Sequence, residues 1–517
     1  MQKRAQEADP GGSTAIVEHG VAHDPTDAVT EPLGRSAALG TLWMTGQKWV
    51  VRISGFATIA ILTRVISPEE FGIVAAASAV TPFVLLLADL GLSTYIVQAD
   101  DVDSRTLSTG FWFSVTAGVV LSGGLALLAP LIAAAFNIEG STSVLRVLSL
   151  AVLCTVLASV PNALLRRRLQ FKLIAVQATA GAVVAQVVAV ALALAGTGAW
   201  ALVAQAIVAQ LVAGVLAWRA ARWTPTREFC PSTFRRIASF GSKVVAVDFV
   251  YTARAAAEAA VISNVLGTAA LGYLSIAQRL VQIAQDLGAS AVVPVSTVVF
   301  AKVRESKERL LAGYLKATRI GYAAVAPILT VVAVGAPLLI PILFGPNWEQ
   351  SIPVARALAV AGILVLGAMV DHGLHYGVGA PGRWFAYAVV IDALTLATTW
   401  VLAPRGLSAV AIGFVVVALV ATAIRWVLVG RLVGCSAASL AAGFVVSMVP
   451  VVVSAGAGLG VLAVTGGLPR LLSLALVGLT IGVVHLVVVR LVSRQVLTDV
   501  LNALPIPARF AFVRRLA

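Results

Sequence analysis

Charge is scarce in this sequence. Asp, Glu, Lys and Arg make up 12% of its 517 residues, about half of the roughly 25% usual in a soluble domain. A chain so poor in charge cannot cover a water-facing surface, which excludes the soluble globular classes. Cysteine is scarcer still. Cys154, Cys230 and Cys435 stand far apart, without the spacing of a disulfide framework, a structural zinc site or a redox pair. No GxxxxGK[ST] loop occurs, so no nucleotide-binding loop of that kind supplies energy. Long polar stretches are also missing from about Leu39 onward. That leaves no room for a soluble catalytic domain, and the sequence suggests no catalytic set, metal site or cofactor.

What is present is apolar. Hydrophobic residues make up 59% of the chain, and mean hydropathy is +0.96. Runs of 20 or more apolar residues recur, each long enough to cross a hydrocarbon core about 30 Å thick. They break at Pro, Gly and charge clusters, where helices leave a membrane. The pattern predicts an all-α polytopic membrane protein of about fourteen spans. These fall near 38–63, 71–97, 109–135, 143–165, 174–196, 199–218, 241–265, 271–297, 313–343, 352–378, 384–403, 407–430, 441–465 and 470–492. Residues 1–34, rich in Asp, Glu, Pro, Gly and Thr, read as a disordered cytoplasmic tail. Near Met1 there is no apolar core with a small-residue cleavage site, so a signal peptide is not expected.

Lys and Arg set the orientation, because cytoplasmic loops collect them. With the amino terminus inside, the even-numbered connections hold Arg166, Arg167, Arg168 and Lys172, then Arg219 to Lys243, then Lys302 to Arg319. The opposite side holds Arg64, Arg146, Arg405 and Arg470. Both termini are therefore expected in the cytoplasm, in the plasma (inner) membrane of a bacterium. The net charge of +14 is then mostly positive-inside charge rather than a nucleic-acid footprint. The tail 493–517, with Arg509, Arg514 and Arg515 among Phe510, Phe512 and Leu516, is expected on the inner membrane surface.

The chain repeats itself at a period of about 200 residues. Val65 to Gly72 and Val265 to Gly272 share apolar and glycine spacing, and Asp89-Leu90-Gly91-Leu92-Ser93 has a counterpart in Asp286-Leu287-Gly288-Ala289-Ser290. Six helices per repeat bring both halves in from the same side, related by an axis along the membrane normal, with a substrate path between them. The division expected is an N-lobe over 35–220, a basic cytoplasmic linker over 221–240, a C-lobe over 241–432 and two extra helices over 433–492.

Four motifs carry a family resemblance. They are Thr63 to Gly72, then Leu271-Gly272-Tyr273, then Ala277-Gln278-Arg279, and Phe344-Gly345-Pro346-Asn347-Trp348. On these residues the chain, from about Arg35 to Val492, resembles the polysaccharide flippases of the multidrug/oligosaccharidyl-lipid/polysaccharide exporter superfamily, in its colanic-acid-exporter-like branch. The resemblance implies a transporter, not an enzyme, that moves undecaprenyl-diphosphate-linked oligosaccharide to the outer leaflet. It implies partners in the lipid bilayer and in polysaccharide assembly machinery, and it supplies no residue-level site.

Charges inside the spans mark where chemistry could sit, since each costs about 2.5–3.5 kcal/mol near a helix centre. Lys48 and Arg52, four apart, share one face of the first span. They either contact a diphosphate crossing the bilayer or pair with Asp89 or Asp286 to hold the lobes together. Asp248, Arg254 and Glu258 lie on the seventh span, where Arg254 and Glu258 either neutralise each other or line the cavity. Arg279 and Asp286 share a stripe of the eighth. Arg356 lies near the outer end of its span, and Arg425 is placed to snorkel inward. Asp371, His372 and His375 on the tenth span read as a water-exposed helix end, a proton-coupling cluster or, least of all, metal ligands. Two other functions stay open: an ion-coupled drug or cation antiporter of the same superfamily, and a membrane-embedded glycan polymerase.

Overall fold

The computed structural model describes residues 27–99, 102–138, 141–303 and 305–492, and within them gives no side-chain detail for 27–42, 45, 240, 242–248, 287–299, 301 and 302. Every regular element among the described residues is a helix. The first group comprises α1 (Asp27–Val65), α2 (Pro68–Asp89), the short α3 (Leu92–Gln98), α4 (Ser104–Ala135), α5 (Ser141–Leu157), α6 (Ser159–Arg167), α7 (Phe171–Leu194) and α8 (Ala199–Ala221). The second comprises α9 (Pro231–Leu266), α10 (Thr268–Val303), α11 (Lys307–Leu343), α12 (Ser351–Val365), α13 (Gly367–Gly377), α14 (Pro381–Leu402), α15 (Leu407–Val433), α16 (Ala437–Val464) and α17 (Arg470–Val492). α6 runs on from α5, and α13 from α12, so each pair makes one span-length stretch.

Among the described residues, eleven such stretches are long and apolar enough to cross a membrane. α1, α9 and α10 are longer than most at 39, 36 and 36 residues, yet stand outside that set. They carry Lys48 and Arg52, Arg254 and Glu258, and Arg279 and Asp286. The protein is thus a multi-pass, all-α membrane protein. α1 opens at Asp27, inside the segment read as a tail, and α9 at Pro231, inside the segment read as a linker.

The α1–α2 turn follows from its sequence. Ser67 caps α2, with the Glu70 amide donating to its hydroxyl at 3.2 Å and the Ser67 amide donating to the Glu70 carboxylate at 3.1 Å. Pro68 fills the first helical position, where an N–H would be orphaned anyway. Just beyond, the two groups of helices meet. α2 crosses α10 through Gly72 and Gly272, each one turn into its helix. A Cβ on Gly72 would lie 1.8 Å from the Thr268 carbonyl oxygen, and one on Gly272 would lie 2.2 Å from that of Pro68. The contact is reciprocal, as a two-fold relation between the lobes requires. It rests on the two glycines that the repeat aligned.

Trp348 completes this end. Fully buried, it donates its indole N–H to the Thr63 carbonyl at 2.8 Å and packs edge-on against Phe71 and Tyr273, with centroids 5.2 and 6.0 Å away. Arg64 donates to the Ile342 carbonyl at 2.9 Å, and Asn264 donates to that of Ala135 at 2.6 Å. The end bearing the α1–α2 and α9–α10 turns is sealed by these contacts. At the opposite end the lobes touch where Gly91, at the start of α3, meets Gly241 of α9, and where Phe83 of α2 packs on Phe249 of α9 with centroids 4.8 Å apart.

Candidate functional site: a cationic cleft and a polar C-lobe cavity

α1 turns one face toward α10, and Lys48, Arg52 and Gly55 lie along it. Arg52 pairs with Asp286 of α10, an ion pair that spans the two lobes with both side chains about one quarter exposed, at 27% and 29%. Gln282 donates to the other carboxylate oxygen of Asp286 at 3.0 Å, which fixes its orientation. Two turns away on the same stripe of α10, Arg279 reaches across to α1. It passes where Gly55 has no side chain: a Cβ there would lie 3.9 Å from an Arg279 guanidinium nitrogen and 3.4 Å from the Gln186 amide nitrogen. Lys48 and Arg279 are both exposed, and neither has an ion-pair partner among the described residues. Among the described residues, these facing stretches of α1 and α10 therefore present three cations, Lys48, Arg52 and Arg279, against one carboxylate, Asp286.

A second feature lies between α2 and the helices of the C-lobe. A cavity of about 650 Å³ is walled by α2, α9, α10, α12, α14 and α15. On its floor the Arg254 guanidinium pairs with Glu258 one turn along α9, and its Nε lies 2.9 Å from Asp392 of α14. The Tyr251 ring lies 5.3 Å from the same guanidinium, close enough for a cation–π contact. Gln278, Gln282 and Gln285 of α10 supply amide donors and acceptors to the wall. The intrahelical Arg254–Glu258 pair was expected from spacing. Asp392 was missed, although a lone carboxylate inside the eleventh apolar run was signal enough.

The remaining charges separate into structural roles. Asp89 faces neither Lys48 nor Arg52; it accepts from the Ser93 hydroxyl at 2.6 Å and ties the end of α2 to α3. Asp248 lies on α9, but its side chain is outside the described residues. Arg356 donates to the Ala333 carbonyl at 3.2 Å. Arg425 does not snorkel. It is 3% exposed and pairs with the equally buried Asp371 at 2.7 Å. Its other nitrogen donates to the Thr422 hydroxyl at 3.0 Å and the Leu364 carbonyl at 3.2 Å. That carbonyl is freed where α12 breaks into α13 at Leu366, and Thr422 and Tyr322 donate to it as well. A buried guanidinium thus holds a helix break, where snorkelling would have left the buried Asp371 carboxylate without its cation. Nor is the α13 cluster a water-exposed helix end, since Asp371 and His375 are each 1% exposed. His375 shares a 2.7 Å hydrogen bond with the Asp371 carbonyl through Nδ1, while His372 stacks on Tyr376.

Comparison with known proteins places this architecture. Residues 61–353 match the family described as polysaccharide biosynthesis protein. The chain is 28% identical over 334 residues to the succinoglycan biosynthesis transport protein ExoT of Rhizobium meliloti, covering 64% of this chain and 67% of that one. It is 24% identical over 330 residues to the teichuronic acid biosynthesis protein TuaB of Bacillus subtilis, covering 62% and 68%. With the lipopolysaccharide biosynthesis protein WzxC of Escherichia coli it shares 23% identity over 333 residues, covering 62% and 67%. In fold it is similar to the lipid II flippase MurJ in an inward closed conformation, with a TM-score of 0.70 at 13% identity over 88% of this chain and 99% of that one. It also resembles an inward-facing MATE family multidrug transporter, with a TM-score of 0.53 at 16% identity over 76% and 94%. The matched segment runs from the end of α1 to the start of α12 and so takes in Arg279, Asp286 and the Trp348 plug; the chain belongs to the polysaccharide biosynthesis protein family.

Proposed function

We propose that this protein flips an undecaprenyl-diphosphate-linked oligosaccharide across the bacterial inner membrane by alternating access between its two lobes. The reading rests above all on Lys48 and Arg279, two cations without carboxylate partners among the described residues that flank the Arg52–Asp286 pair between the lobes. Cations within spans usually face a bundle interior or a water-filled path and mark where substrate passes, and two without partners suit an anionic cargo. A diphosphate fits, because it replaces the water around both groups and competes with Asp286 for Arg52. Binding then exchanges a cross-lobe ion pair for cargo contacts and loosens the lobes at the same moment. The sugars occupy the polar space between the lobes and the C-lobe cavity.

In this arrangement α1, α9 and α10 also cross the membrane, making fourteen spans, with both termini and the basic loops in the cytoplasm. The sealed end faces outward, and the cleft takes cargo from the inner leaflet. No covalent bond is made or broken, and an ion gradient or the membrane potential drives the cycle. Surface-polymer assembly machinery takes over the product outside. The antiporter reading draws on Glu258 and Asp392, two carboxylates set against one Arg254, but that guanidinium already fills the space between them.

Deleting the gene and labelling lipid-linked glycans leaflet by leaflet tests the proposal. Accumulation on the cytoplasmic leaflet together with loss of one surface polymer is the expected result. The Lys48→Ala/Arg52→Ala double variant should reproduce it at normal expression. An unchanged lipid-linked pool under conditions where the polymer is normally made transfers the argument to the antiporter.

A further inference from the structure

α1 has a second face, turned away from the cleft. Trp43, Gly46, Gln47 and Val50 on this face, with Ala175, Val176, Thr179, Ala180 and Val183 of α7, form an open groove of about 780 Å³. The groove is almost wholly apolar. Along α7 it runs from Ala175 to Val183, about 12 Å at 1.5 Å per residue, close to the roughly 15 Å depth of one leaflet in a 30 Å core. One end is charged: the Lys172 ammonium sits 5.4 Å from the Trp43 ring centroid at the start of α7, just after Arg166, Arg167 and Arg168. The groove is therefore an apolar channel one leaflet deep with a cation at its rim.

We infer that this groove is a site for an acidic phospholipid of the leaflet on the basic side of the membrane. One acyl chain lies between α1 and α7, and the head-group phosphate meets Lys172. The apolar walls would take any acyl chain, and Lys172 selects an anionic head. The cargo's own isoprenoid tail is the less fitting occupant. Lys48 and Arg52 project from the opposite side of α1, so a tail in this groove would have to wrap around the helix to share a molecule with a diphosphate held there. A phospholipid in the groove braces α1 against α7 while the other face of α1 handles cargo.

The test is lipid retention by the full-length protein, extracted in mild detergent and exposed to equal amounts of phosphatidylglycerol and phosphatidylcholine before native mass spectrometry. Wild type should retain phosphatidylglycerol preferentially. Lys172→Gln should weaken that preference roughly five-fold, the equivalent of about 1 kcal/mol for one cation at the membrane surface. Ala180→Phe, which fills the groove, should lose bound lipid of both kinds. If it does not fold, Lys172→Gln decides alone. Equal retention of the two lipids by wild type, or an unchanged preference in Lys172→Gln, would mean annular lipid only and would overturn the site. Displacement of phosphatidylglycerol by an equal amount of undecaprenyl phosphate would assign the groove to the cargo tail, and would overturn it too.

Discussion

The glycine crossing of α2 and α10 makes the most direct test of lobe movement. Replacing Gly72 with Ala places a methyl group 1.8 Å from the Thr268 carbonyl oxygen, where ordinary contact begins at 3.4 Å. The helices must separate by about 1.6 Å there, or by about 1.2 Å for the weaker overlap that Gly272→Ala makes at 2.2 Å. Backbone cannot yield as a flexible side chain would, so the overlap belongs with overpacked cores, which cost about 1–3 kcal/mol. If the lobes rock apart at this end during transport, the cost falls on the sealed state alone. It then becomes a shift of about 5- to 150-fold toward the open state. Ser351 reports the change. It is fully buried and donates to the Tyr273 carbonyl at 3.0 Å. With the three native cysteines replaced, a Ser351→Cys reporter should react with an impermeant maleimide from outside many times faster in the Gly72→Ala background. Gly443→Ala in α16, where a methyl meets nothing within 4 Å, should leave the rate unchanged. Equal labelling rates in wild type, Gly72→Ala and Gly272→Ala, with export intact, would refute the claim that this contact seals a moving gate.

Three further outcomes concern other parts of the molecule. Arg425→Met strands Asp371 as a buried carboxylate beside the α12–α13 break, and should destabilise the protein by about 3–5 kcal/mol; the double variant with Asp371→Asn should recover much of that in thermal unfolding of the solubilised protein. Hydrogen bonds from Ser232 and then Thr233 lower the Cys230 thiol to about 6, while burial raises that of Cys435. At pH 7 Cys230 is therefore mostly thiolate, and its alkylation should fall off as pH drops below about 6, whereas Cys435 should react appreciably only in alkaline solution. In sealed vesicles an impermeant maleimide should reach Cys230 from the cytoplasmic face alone, and labelling from outside would reverse the topology.

Much of the fold was legible because its causes are local. A run of apolar residues is a span wherever its neighbours lie, and Ser67-Pro68-Glu69-Glu70 caps a helix from within four residues. The glycines of the repeat were legible as a pattern, though not as the contact they make. Pairings were not legible. Lys48 and Arg52 could face Asp89 or Asp286 with equal justice, and the fold brings Arg52 to Asp286 while Ser93 takes Asp89. Arg254 gained Asp392, and Arg425 gained Asp371 instead of reaching for the membrane surface. Spacing in a sequence fixes how deep a residue lies along its helix and which residues share its face. It does not fix which way that face turns or which other helix crosses it. The sequence alone therefore determined a charge-poor, many-helix membrane chain with a strong asymmetry of cations. The tertiary structure decided which cations are neutralised and which stay free, because ion pairs between helices depend on how rigid cylinders pack, and packing is a property of the whole bundle.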